Sequence, residues 1–139
     1  MTDSIGILDT CVLIDVDLGV VDVEQLPDRH FITTITLAEL SAGPLVARTS
    51  SEQAVRQLRL QKAEALYAES VLALDAAAAR CFGRVFADVL SVGRTPRRRI
   101  ADLQIAAIAI VQGLALYTIN VDDFQGIDGL NLIAVQRSN

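Results

Sequence analysis

Five short apolar runs alternate along the chain with longer stretches whose apolar residues recur at helical spacing. The runs cover residues 5–8, 31–35, 71–74, 114–119 and 130–135, and their Ile, Val, Leu and Thr content is that of strands. Between them the spacing predicts helices over 11–18, 37–47, 52–68, 76–90 and 98–112. Side-chain oxygens stand where three of these begin: Thr36, Ser51 and Asp75 precede the second, third and fourth, each able to accept from unpaired helix N–H groups. Strands that read as continuous apolar runs are those buried on both faces. The pattern predicts an α/β fold, a three-layer arrangement of a parallel sheet flanked by helices.

Length and composition narrow the picture. With 139 residues and no repeat, linker or compositional break, one domain over 1–139 is expected. Apolar residues make up 52% and charged residues 21%, with 8 Gly and 3 Pro, which excludes a low-complexity chain. The longest greasy stretch, 105–119, is interrupted by Gln112 and Gly113 and is shorter than the about 20 residues that span a bilayer. Asp3 precedes the first apolar residues and no base occurs before Arg29, so no secretory signal is read and a cytoplasmic location is expected.

The inventory of reactive side chains is short. Cys11 and Cys81 form no CxxC pair, which leaves too few soft ligands for structural zinc and predicts two reduced, buried thiols. His30 is the only histidine, and beside a strand it reads as a surface or strand-end residue rather than a catalyst. Chemistry therefore falls to carboxylates. A net charge of −5 argues against unspecific adhesion to nucleic acid, although a bound cation reverses the local sign. Seven acids (Asp3, Asp9, Asp15, Asp17, Asp22, Glu24, Asp28) and no base occupy the first 28 residues, while Arg94, Arg97, Arg98 and Arg99 crowd one segment. Mutual attraction of these two regions, or attraction of opposite partners, is expected. The arginines read either as a solvated loop or as a binder of phosphates or of an acidic partner. The six aromatics fall mostly in core registers, and Phe124 is placed to pack beneath an acidic loop.

Ligands of parallel sheets bind beyond the carboxyl ends of the strands. Asp9 ends the first strand, Glu39 lies in Leu37-Ala38-Glu39-Leu40, Asp102 lies early in the last helix, and Asp122 and Asp123 follow the fourth strand. Each acid has an ordinary structural reading. Asp9 can cap the first helix, Thr36-x-x-Glu39 can be a capping box, Asp102 can complement a helix dipole, and Asp122 and Asp123 can be turn residues. Their combination points further, because Glu39 and Asp102 interrupt apolar stretches where an unpaired charge is costly. A set of hard oxygen ligands without His or Cys suits Mg²⁺, with Mn²⁺ as substitute, and such ions support attack of water on a phosphodiester.

Ile7-Leu8-Asp9-Thr10, Thr36-Leu37-Ala38-Glu39-Leu40, Ala101-Asp102-Leu103-Gln104-Ile105-Ala106-Ala107 and Thr118-x-Asn120-x-x-Asp123-Phe124 resemble the four acidic motifs of PIN-domain ribonucleases. Within that superfamily the length and motif wording are similar to the VapC toxins of bacterial toxin-antitoxin systems, over about residues 5–135. The resemblance implies a five-stranded parallel sheet, a homodimer, Mg²⁺-dependent endonucleolytic cleavage of RNA, and a small antitoxin that blocks the acidic pocket. It makes Asp9, Glu39, Asp102 and Asp123 the metal-site acids, with Thr10 and Asn120 as supporting hydrogen-bonders. Many relatives carry an acid where this chain has Asn120, so Asp123, Asp122 and a water held by Asn120 all remain candidates for the fourth contact. The antitoxin's hydrophobic segment is expected on Val12, Leu13, Val16, Leu37 and Leu40. A catalytically idle PIN-like module that binds RNA or protein is the alternative reading. A receiver-like phosphoacceptor domain fits less well, because its downstream lysine would have to be Lys62, in the middle of a helix.

Overall fold

The computed structural model describes residues 4–138; Asp3, counted above among the N-terminal acids, lies outside them. Its five strands are β1 (Ile5–Leu8), β2 (Arg29–Thr33), β3 (Val71–Leu72), β4 (Ala115–Thr118) and β5 (Leu132–Ala134). They form one parallel sheet in the order β3-β2-β1-β4-β5, so β1 is the centre from which the chain builds outward on both sides. The helices are α1 (Thr10–Asp17), α2 (Thr34–Ala42), α3 (Ser50–Leu66), α4 (Ala76–Ser91) and α5 (Ile100–Gln112). Gly113 ends α5 in the left-handed conformation, at φ 66°, where a residue without Cβ carries no penalty.

Successive strand residues point to opposite faces, and two separate cores result. Ile7 and Leu116 belong to one, with Ala78, Val85, Val89 and the apolar side of α5. Leu8 and Tyr117 belong to the other, with Val12, Leu13, Leu40, Ala63 and Tyr67. All six aromatics pack in these cores, and Phe124 is buried in a 3-10 turn (Val121–Phe124) after β4. No helix among the described residues is long and apolar enough to cross a membrane.

Several local expectations shift. β2 starts at Arg29 and stops at Thr33, two residues ahead of the apolar run, because ladder pairing with β1 at its start (Ile5↔Arg29, Ile7↔Phe31) and with β3 at its end (Ile32↔Val71, Thr33↔Leu72) satisfies its backbone whatever the side chains. Thr33 consequently caps α2, its hydroxyl accepting from the Thr36 N–H at 3.2 Å. Thr36 is therefore a buried residue inside the helix, and the Thr36-x-x-Glu39 capping box does not form. Thr49, not Ser51, caps α3, with Glu52 returning to the Arg48 N–H at 2.8 Å. Asp75 caps α4 as expected. Residues 96–99 form a separate 3-10 turn (Pro96–Arg99), so α5 begins at Ile100.

Of the two expectations for the N-terminal acids, Asp15 and Asp17 follow the second, pairing with cations outside the arginine-rich segment. Asp17 pairs with Arg59 at 2.9 Å and Lys62 at 3.3 Å, and buried Asp15 pairs with Arg137 at 2.6 Å. The chain end is clasped onto α1 and the loop after it: Gln25 and Gln136 exchange two hydrogen bonds of 2.8 Å, and Arg137 bridges to Val21. His30 lies within β2 rather than on the surface, half-buried, its Nδ1 2.8 Å from the Tyr67 hydroxyl. Both cysteines are free and half-buried.

Candidate active site

Parallel pairing of β1 with β4 places Leu8 opposite Tyr117 and thus Asp9 beside Thr118 at the carboxyl edge of the two central strands. Asp9 is 4% exposed. Its main chain is extended, so it caps α1, its Oδ1 accepting from the Thr10 N–H at 2.9 Å. Its Oδ2 accepts from the Thr118 hydroxyl at 2.8 Å and from the Cys11 thiol at 3.2 Å. The capping reading of Asp9 is thus realised. Burial raises its pKa, its hydrogen bonds oppose the rise, and the charge of Asp123 adds to it. Burial beside Asp9 also pushes the Cys11 thiol to about 11, which keeps it protonated and donating.

The other acids surround this point. Asp102 is half-buried on the first turn of α5, and its pKa rises to about 6. Burial is the largest cause, followed by the charges of Asp9, Asp123 and Glu39, with Arg99 pulling the other way. Glu39 is exposed on α2, which removes the burial argument made for it. Its Oε1 accepts from the Thr10 hydroxyl at 2.8 Å. Since Thr10 spends its proton on Glu39, Thr36, 2.8 Å from it, donates to Thr10. Asp123 sits in the turn after β4 and is held by Arg99 at 2.7 Å. Asp122 is exposed, its carboxylate accepting from Gln125 at 3.2 Å and its carbonyl from Arg94, and it is not among the charges that shift Asp9 or Asp102. Asn120 is exposed, and its main-chain N–H donates to the Thr118 hydroxyl at 3.1 Å.

The structure therefore couples Asp9, Glu39, Asp102 and Asp123 electrostatically, with Thr10 in support. It also brings in Thr118, a fully buried residue to which the motif alone assigned no role; the signal was its place two residues before Asn120 at a strand end. Among the described residues no three His, Cys, Asp or Glu side chains stand arranged as a finished ion shell, so the acids form a mutually repelling cluster rather than preformed coordination. An all-oxygen donor set with this repulsion fits a hard divalent cation.

Two clefts open at the cluster. One of about 340 Å³ is lined by Arg94, Thr95, Arg98, Arg99, Asp102 and Asp123. Exposed Arg97 points outside that lining. The other, of about 640 Å³, runs between α1, α2 and α3 past Thr10 and Glu39, with Ile14, Leu18, Leu40 and Val55 as apolar wall. Val12 and Leu13, expected on a docking face, are buried in the core because α1 turns that side to the sheet.

Comparison with known proteins agrees with this fold. No protein-family profile matches the chain. Ribonuclease VapC5 of Mycobacterium tuberculosis is 37% identical over 98% of this chain and 97% of its own length. Ribonuclease VapC1 of Rickettsia felis is 29% identical over 96% and 98%. A crystal structure of VapBC-5 from Mycobacterium tuberculosis, a member of the VapBC family of toxin-antitoxin systems, superposes with a TM-score of 0.80 at 33% identity, covering 95% of this chain and 99% of that one. On its sequence identity over nearly the whole chain and on its fold, the chain belongs to the VapC family of PIN-domain ribonucleases.

Proposed function

We infer that this protein is the toxin of a type II toxin-antitoxin pair, an endoribonuclease that hydrolyses RNA phosphodiester bonds with Mg²⁺ at the carboxylate cluster. The observation that carries this reading is the convergence on Asp102 of charge from three acids, Asp9, Glu39 and Asp123, which stand 93, 63 and 21 positions away in sequence. Such repulsion is sustained at a stability cost unless a cation is the natural occupant. Asp9, Glu39, Asp102 and Asp123 would hold the ion, which when bound supplies Lewis-acid polarisation of the phosphodiester and positive charge for the departing oxygen. Thr118 and Thr10 orient the Asp9 and Glu39 carboxylates by hydrogen bonds. Arg94, Arg98 and Arg99 line the adjoining cleft, and their guanidinium forks match phosphate oxygens.

The antitoxin would be a short chain whose amphipathic helix lies on the apolar wall of Ile14, Leu18, Leu40 and Val55 and whose basic end reaches Glu39. A homodimer is expected from the family, and exposed Leu90 and Val92 at the end of α4 offer apolar surface for it. The test is incubation of purified protein with total RNA with and without Mg²⁺. Cleavage should require the ion and vanish in Asp9→Asn and Asp102→Asn at equal folded concentration. Expressed alone, the protein should arrest bacterial growth, and Glu39→Gln should be harmless. Cleavage by Asp9→Asn at the wild-type rate would sink the assignment.

A further inference from the structure

Arg99 is where the acid cluster and the arginine segment touch. Its Nη1 donates to Asp123 Oδ1 at 2.7 Å, across 24 residues of sequence. Asp123 is thereby the only one of the four acids with a cationic partner among the described residues. The pair lies in the wall of the 340 Å³ cleft, which Asp102 and Arg98 also line. Arg94, the remaining arginine there, is bonded to the Asp122 carbonyl.

The position is unusual for a structural ion pair. Arg99 stands at the end of the Pro96–Arg99 turn, immediately before the helix that carries Asp102, so it faces a carboxylate cluster whose charges are otherwise uncompensated. A divalent ion drawn into that cluster competes with the guanidinium for the same carboxylate, since two cations on one acid repel each other. Displaced from Asp123, the guanidinium has one other class of partner at hand, an anion in the cleft, and its planar fork matches two phosphate oxygens.

We propose that Arg99 is an internal counter-ion that holds Asp123 until a divalent cation takes that carboxylate, and is then released to a substrate phosphate. The proposal rests on the metal-site reading above and adds a coupling to it. Cation binding frees the arginine for phosphate, and phosphate binding vacates Asp123 for the cation, so each strengthens the other by the same factor. Arg99 acts on the cation through Asp123 and is a positioning residue in that step.

The test is Mn²⁺ binding to the full chain by titration calorimetry, without nucleic acid, followed by cleavage kinetics on a short RNA at saturating Mn²⁺. Arg99→Ala should bind Mn²⁺ about two- to fivefold more tightly, the factor for removing a partly exposed ion pair. It should also show a raised KM for RNA. Arg99→Lys still pairs with a carboxylate but lacks the fork, so it should keep the wild-type Mn²⁺ affinity and share the raised KM. A merely structural pair predicts the opposite sign, because disturbing the turn would weaken Mn²⁺ binding. Arg99→Ala binding Mn²⁺ no more tightly than wild type overturns the proposal; Arg99→Gln serves the same comparison if the alanine variant does not fold. If wild type binds Mn²⁺ but cleaves no RNA, the ribonuclease reading falls, while tighter binding by Arg99→Ala still supports the counter-ion. If wild type binds no Mn²⁺, both fall.

Discussion

Replacing Asp102 by Asn should make the metal-free protein more stable while abolishing cleavage. The fold raises the Asp102 carboxyl from an ordinary 3.8 to about 6. A carboxyl that holds its proton more tightly folded than unfolded makes the fold lose stability as pH rises from about 3.8 to about 6. Each tenfold change in proton affinity is about 1.4 kcal/mol, so a fully desolvated group with this difference would cost about 3 kcal/mol at neutral pH. Asp102 is partly exposed, and solvent screening reduces the figure to about 1 kcal/mol. Asn has the same shape without the charge. In chelator near neutral pH, Asp102→Asn should therefore melt about 3 °C above wild type, by the enthalpy scale of a domain this size. Near pH 4 the wild-type carboxyl is protonated and the two should melt together. Circular dichroism melts at both pH values decide it. A variant that melts below wild type at neutral pH would mean that the Asp102 carboxylate is held by favourable contacts, and the repulsion argument would be refuted.

Mn²⁺ or Mg²⁺ at millimolar concentration should raise the wild-type melting temperature, since an ion bound only by the folded state stabilises it by mass action, and Asp102→Asn should lose most of that gain. Thr118→Val removes the hydroxyl donor from buried Asp9, leaving its Oδ2 only the weaker Cys11 thiol, and should cost about 2 kcal/mol in urea unfolding along with cleavage activity, whereas Thr118→Ser should retain both. Burial holds His30 below its ordinary 6.5, so the unfolded chain takes up the proton first and stability is lost as pH falls below that value. His30→Gln should flatten the decline in urea midpoint from pH 7 to pH 5. A Cβ at Gly6 would run into the Tyr117 ring and stand 3.2 Å from the Ala115 carbonyl, so Gly6→Ala should lower the urea midpoint by about 1–3 kcal/mol equivalent.

The strand and helix order was legible because each apolar run had the length and β-branched content of a buried strand, and Asp9 stood directly at the end of the first run. Local starts were less legible. Around Thr33, Thr34 and Thr36 three hydroxyls compete to cap one helix, and the winner is decided by where β2 stops pairing with β3, a contact with residues more than thirty positions away. Glu39 shows the same limit. Its neighbours Leu37 and Leu40 suggested a buried acid, but helical geometry turns Leu40 inward and Glu39 outward. Thr118 gained its role only from the β1–β4 register, and the Arg99–Asp123 pair only from the turns that bring two segments together.

The Asp9–Thr118 hydrogen bond closes a loop of 109 residues, from the first strand to the fourth. During synthesis the first half of the chain can form β1, β2 and the helices between and after them, yet no stretch ending before β4 contains the Thr118 hydroxyl that donates to the buried carboxylate or the turn bearing Asp123. Truncated or unfinished chains thus carry the acids without the arrangement. Whatever this cluster does to a nucleic acid begins only when synthesis has passed Asp123 and the long loop has closed, which separates the time of making the protein from the time of its action.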